Sequence, residues 1–204
     1  ITTLKLHPDY MAMLKGQRVF PNTAAKFCIS DTGLQQLFVD DNVRQLEKLM
    51  KVSAGSNRYL IPVGPSDGGG DCECAKCQAM GSISNRYFML ANLVAKKFQS
   101  ISPNAYVNLY AYSTHVATPD FAVEPNVMVQ LIPYAFQRNF SAETMIEAWE
   151  QKSHDLYIYD FYGLPINNLD MPLSGGLEPS AYARRIQYWY QHHVHGIILE
   201  RSYG

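Results

Sequence analysis

Short apolar runs of strand character alternate along this chain with longer stretches whose apolar residues recur every three or four positions, and this alternation narrows the fold more than any other feature. Lys26-Phe27-Cys28-Ile29-Ser30 reads as a strand. A helix follows over about 34–50, with Leu34, Leu37, Phe38, Leu46 and Leu49 on one face. Tyr59-Leu60-Ile61-Pro62-Val63 is the next strand. Ser84 is expected to cap a second helix carrying Tyr87, Leu90, Ala91, Val94 and Phe98. Strands at 106–112 and 127–132 come with little helix between them. Ser141 then opens a helix through Trp149, 155–160 is a strand, Pro179 sits in the first turn of a helix to about His193, and 196–200 closes the series.

Repeated strand–helix units imply parallel strands whose faces are covered by helices. Two architectures satisfy that pattern: an open doubly wound sheet and a (β/α)8 barrel of the TIM type. The open sheet usually carries a Gly-rich first turn for a nucleotide, and the one Gly-rich turn here is acidic, which repels phosphate. The expectation is therefore α/β with a TIM-like barrel, in one domain over 1–204. A whole barrel needs eight strands and about 250 residues. This chain supplies six strand candidates, so about six strand–helix units of a partial barrel are expected, with the first strands upstream or missing. The opening Ile1-Thr2-Thr3 fits a trimmed or partial chain.

Composition excludes several classes of function. The formal charge is −1 and the cations are scattered, so no stripe suits nucleic acid or an anionic membrane. No apolar run approaches the ~20 residues of a membrane span. Tyrosine, at 14 residues, outnumbers phenylalanine and tryptophan together. Its ring and hydroxyl suit sugar stacking, although half-buried strand ends account for it equally well.

In a barrel, residues just past the carboxyl ends of strands face the active site. Those positions hold Ser30 and Asp31, then Ser66, Asp67 and Asp71, then Tyr112 and His115, Tyr134, Asp160 and Tyr162, and finally Glu200 and Tyr203. Any single acid there is explained by turns and caps. Asp67, Asp160 and Glu200 together fit a glycosidase, which needs one protonated and one ionised carboxyl. His7, held extended by Pro8, and His115 are placed to contact substrate; His192, His193 and His195 are accounted for by a helix end.

All four cysteines fall in Cys28 and the Cys72-Glu73-Cys74-Ala75-Lys76-Cys77 block. Thiolates at this spacing, with Cys28 from the neighbouring strand end, can close on one metal ion such as zinc. A disulfide in an exported protein and packed, reduced thiols remain open alternatives. A closed four-thiolate site would be structural and would pin the loop that carries Asp67.

These residues resemble a bacterial family known as domain of unknown function 4838. The resemblance rests on His7-Pro8-Asp9-Tyr10, Phe27-Cys28-Ile29-Ser30, the long block from Gly64 to Cys77, Tyr110-Ala111-Tyr112, Val129-Gln130-Leu131 and Tyr157-Ile158-Tyr159-Asp160-Phe161-Tyr162. It implies a (β/α)-barrel with further domains upstream, in secreted, periplasmic or cell-surface bacterial proteins. It also implies distant kinship to α-glucuronidases and β-hexosaminidases. By position, Asp67 then matches the general acid, and Asp160 and Glu200 the later carboxyls. One departure stands out: Asp67 is followed by Gly68, so the hexosaminidase Asp-Glu pair is missing, which counts against a substrate-assisted mechanism.

The resulting expectation is a glycoside hydrolase for a plant or host glycan. Asp67 is the proton donor, Asp160 or Glu200 the base or nucleophile, and Tyr112, Tyr162, His7 and His115 contact the sugar. Its rivals are a non-catalytic glycan-binding module of a larger surface protein and a metal-dependent hydrolase acting on another bond.

Overall fold

The computed structural model describes residues 6–20, 26–132, 141–160 and 179–199. Two compact units divide the chain, Ile1–Leu109 and Tyr110–Gly204.

The first unit opens with a small antiparallel hairpin, β1 (Met13–Leu14) and β2 (Gln17–Arg18). Lys15 and Gly16 between them both have positive φ, 49° and 78°, the conformation of a tight type I′ turn whose twist matches its strands. Helix α1 (Thr32–Val52) starts where the Asp31 carboxylate accepts the Leu34 N–H at 3.0 Å. After β3 (Tyr59–Pro62), the one-turn α2 (Ala75–Ala79) and α3 (Ile83–Gln99) lead to β4 (Ala105–Ala111), which runs parallel to β3 from Tyr59↔Ala105 to Pro62↔Asn108. Phe88, Val94 and Phe98 of α3 are fully buried, as are Val107 and Leu109 of β4.

In the second unit β5 (Val127–Leu131), β6 (Leu156–Asp160) and β7 (Val194–Leu199) are parallel, linked by α4 (Ala142–Glu150) and α5 (Pro179–Gln191). All five β5 residues are buried, the mark of a strand covered on both faces. Trp149 and Trp189 anchor the helices, and the Trp149 indole N–H donates to the Val116 carbonyl at 2.8 Å. The β6–β7 register skips His195, whose Nδ1 lies 3.1 Å from Asp155 Oδ1. Next to that bulge, a side chain at Gly196 would come within 2.7 Å of the Tyr157 ring, so only glycine fits.

The barrel expected from the alternation is not what forms. The strands make a five-stranded α/β sheet in the order β3-β4-β5-β6-β7, and among the described residues nothing joins its two end strands. The first of the six expected strands is missing from it: among the described residues, 26–30 makes a single antiparallel bridge, Met11↔Phe27. Closure requires strand number, tilt and stagger to agree around a ring. Apolar periodicity reports which faces are buried and leaves that agreement undetermined. Among the described residues no helix is long and apolar enough to cross a membrane.

Candidate functional site

Four sulfurs meet in the first unit. The Cys28 N–H donates to the Tyr10 carbonyl at 2.8 Å beside the Met11–Phe27 bridge, which fixes the segment carrying Cys28. Cys74 caps α2, its sulfur accepting the Cys77 N–H at 3.4 Å, and the single turn brings Cys77 back to the same side. The Cys28 sulfur lies 3.7 Å from that of Cys74 and 3.9 Å from that of Cys77, and all four, Cys72 included, lie within 4.8 Å of one another. A tetrahedral zinc with Zn–S bonds of ~2.3 Å would hold its sulfurs about 3.8 Å apart. A disulfide needs ~2.05 Å, and all four cysteines are free. The group has the spacing to hold a metal ion.

Hydrogen-bond donors surround the sulfurs. The Met13 N–H donates to the Cys72 sulfur at 3.2 Å and the Ser30 N–H to that of Cys77 at 3.4 Å. The Ser30 hydroxyl stands 3.2 to 3.7 Å from the sulfurs of Cys77, Cys28 and Cys74. Arg18 Nη1, anchored on the Met11 carbonyl at 2.6 Å, comes within 3.9 Å of Cys72. Burial pushes the Cys74 thiol up, but the Cys77 amide, the Ser30 hydroxyl and the other thiols outweigh it and bring Cys74 down to about 6. Burial prevails at Cys72, pushed up to about 12, and raises Cys77 as well. Without a metal, ionisation is therefore easier at Cys74 than at Cys72 or Cys77; a divalent cation would displace protons from the thiols that bind it. A pocket bordered by Arg18, Ser30, Asp31, Cys74 and Lys76 opens onto the cluster and offers an ion a way in.

The 64–77 loop is tied at several further points. Arg86 of α3, nearly buried, donates from Nη1 to the Cys72 carbonyl at 2.9 Å and from Nη2 to the Gly81 carbonyl at 3.2 Å, so it spans both ends of the cysteine segment. The Tyr87 hydroxyl donates to the Asp71 carboxylate; burial first, then this contact with an anion, pushes the phenol up. The Glu73 N–H donates to the Met13 carbonyl at 2.8 Å, and the Glu73 carboxylate accepts the Lys15 N–H at 2.6 Å. Gly68 and Gly70, at φ 83° and 92°, give the acidic stretch a path that residues with a Cβ resist.

Asp67 is exposed on this loop, just past the carboxyl end of β3, and its main-chain carbonyl accepts from Lys26 Nζ at 3.2 Å. His7 is exposed and stacks on Tyr10, ring centroids 4.6 Å apart. In the second unit Asp160 ends β6 and is buried, while Tyr112 meets His115 edge-on at 6.4 Å, with His115 buried in a 3-10 turn. Tyr162 and Glu200, with the strand-end residues Tyr134 and Tyr203, lie outside the described residues. Asp31, also at an expected strand end, is a helix cap. Arg18, Lys26, Ser30 and Arg86 support the loop and its sulfurs, and sequence reasoning gave none of them that part. For Arg86 a signal exists: it stands four residues before Leu90 and eight before Val94, on the apolar stripe of α3.

No curated protein matches the chain. The family described as a domain of unknown function, DUF4838, matches residues 2–204. With nearly its full length matched, the chain belongs to the DUF4838 family.

Proposed function

We propose that the four cysteines bind one zinc ion as a closed structural centre, and that the loop anchored by it carries Asp67 as the acid of a glycoside hydrolase acting on a plant or host glycan. The observation behind this reading is the sulfur quartet, at zinc spacing, fastening an acidic loop at the carboxyl end of β3. In open α/β sheets ligands bind outside the carboxyl ends of strands, so such a loop stands where a substrate would be met. Four thiolates leave the ion no open position for water, so its part is to hold the loop in shape. In this reading Asp160 or Glu200 is the ionised partner, and His7, Tyr112, His115 and Tyr162 contact the sugar. The setting is the bacterial periplasm, cell surface or exterior, where ligation protects the thiols from oxidation.

Asp67→Asn tests the acid. Loss of a positioned general acid lowers turnover by ~10²–10⁴-fold. The expected result, on a glycan cleaved by the wild type, is a loss of that order with an unchanged circular dichroism spectrum and zinc content. Turnover close to wild type would remove Asp67 from the mechanism. A second reading, a glycan-binding module without catalysis, draws support from the exposure of Asp67 and from a Lys26 contact made through its main chain. Retention on immobilised glycan with no release of reducing ends would favour it.

A further inference from the structure

Away from the sulfurs, the first unit has a pocket of about 270 Å3, close to the ~300–1,000 Å3 of small-molecule sites. Its walls are apolar, built by Ile29, Leu34, Phe38 and Leu90 among others. Two polar side chains line it, Lys26 and Ser66, together with the Tyr87 ring. Lys26 is the unusual one. Only 4% of its surface is exposed, and its ammonium donates to Ser66 Oγ at 3.3 Å and to the Asp67 carbonyl at 3.2 Å. Both acceptors are neutral, and among the described residues no carboxylate pairs with it. A buried cation without an anion is costly, and proteins normally pair such groups. An ammonium also carries three N–H donors, one more than these two contacts use.

We propose that this pocket binds a small amphipathic carboxylic acid, with an aromatic or short aliphatic body against the apolar walls and one carboxylate at Lys26 Nζ. The two halves of the ligand follow from the two halves of the site. Walls of this kind select an apolar body, and a single cation with no carboxylate partner among the described residues selects a single anionic end. Neither the metal centre nor the Asp67 chemistry is needed for this binding, so its test stands apart from theirs.

Phenylacetate and phenylacetamide are matched probes, equal in body and different in charge. Titrated into the purified protein and followed by ligand-observed NMR, phenylacetate is expected to bind about tenfold or more tightly than the amide, as a close charge pair would give. Lys26→Met is expected to erase that preference while leaving the circular dichroism spectrum unchanged. Val63→Phe, which narrows the pocket, is expected to weaken both probes. Equal binding of acid and amide by the wild type would overturn the proposal, as would no binding of either at millimolar concentration. A folded Val63→Phe protein that binds phenylacetate as before would overturn it too, by placing the site elsewhere. The acid–amide comparison needs no variant, so it decides the matter even if Lys26→Met fails to fold.

Discussion

The cysteine loop of the first unit and the β5–β6–β7 sheet of the second are held by different physics. Around the loop the buried cluster is Ala12, Cys28, Cys72 and Cys77, small side chains with little area to remove from water. The loop depends instead on a few directional contacts: sulfurs at ligand spacing, the Arg86 fork on two carbonyls and amides aimed at sulfurs. The sheet and its covering helices have β5 buried along its length, Ile158 of β6 and Ile146 of α4 fully enclosed, and two buried tryptophans. Burial is cumulative and tolerant, so one lost contact is shared among many neighbours. A metal-thiolate centre works by completeness, and losing one ligand undoes most of it.

The largest expected effect therefore comes from emptying or breaking the centre. Structural zinc contributes an apparent ~10–16 kcal/mol in small zinc-finger peptides; here Phe88, Val94, Phe98, Val107 and Leu109 form a buried core of their own, so the loss is expected to be confined to the loop. The purified protein is expected to contain one zinc per chain by elemental analysis. Chelation, or Cys77→Ser, should open 64–81 to limited proteolysis while the second unit remains protected. Lower pH should act in the same direction, because protons compete with the metal for thiolates and affinity falls as pH falls. Cleavage within 64–81 that is equally slow with and without chelator would mean the loop holds itself.

Trp149→Ala, in helix α4 of the second unit, is the counterpart. It removes a fully buried indole and its N–H bond to Val116, with an expected loss of ~3–5 kcal/mol in urea unfolding. Zinc content should stay at one per chain. A variant that also sheds its metal would contradict the independence of the two regions. Gly81→Ala ranks next. Gly81 has φ 90°, and an added Cβ would lie 2.5 Å from Asn85 Nδ2, so a cost of ~1–3 kcal/mol is expected. The carbonyl of Gly81 is also an Arg86 acceptor, so this change should speed loop proteolysis as well, whereas an equal loss with unaltered cleavage would separate the two.

What the sequence disclosed follows the same division. Five of six strand candidates and each main helix were legible, because buried faces impose a period on neighbouring residues. The second helix shows the limit of that precision: Ser84, expected as its cap, is buried inside it, and the cap is Ser82, just after the left-handed Gly81. The cysteine group was legible from spacing, since three ligands lie within six residues and the fourth was the only other cysteine. Closure of the sheet was not, because nothing local records how many strands join. Whether Asp67, Asp160 and Glu200 converge is likewise a matter of distant parts of the chain, beyond what spacing reports. Lys26 and Arg86 were missed for another reason: charged residues are normally at the surface, and here burial overrides residue type.

The smallest effect gives the finest test of the comparison, because the two regions offer matched helix caps. Ser82 Oγ accepts the Asn85 N–H at 3.1 Å at the start of α3, and Ser141 Oγ accepts the Thr144 N–H at 3.1 Å at the start of α4. Both serines are exposed, so changing either to alanine removes a capping bond with little loss of packing. Each substitution is expected to cost ~1 kcal/mol of stability in the zinc-loaded protein. Chelation should separate them. The Ser141 cap belongs to a helix anchored by Trp149, and its cost should stay the same without metal. The Ser82 cap adjoins the cysteine segment through Gly81 and Arg86, so with the loop released part of the first turn of α3 should already be frayed. The measured cost of Ser82→Ala should then shrink, since a bond already open cannot be lost again. Equal costs for both caps, with and without metal, would show that α3 is held by its own buried stripe and that the cysteine centre stabilises only the loop before it.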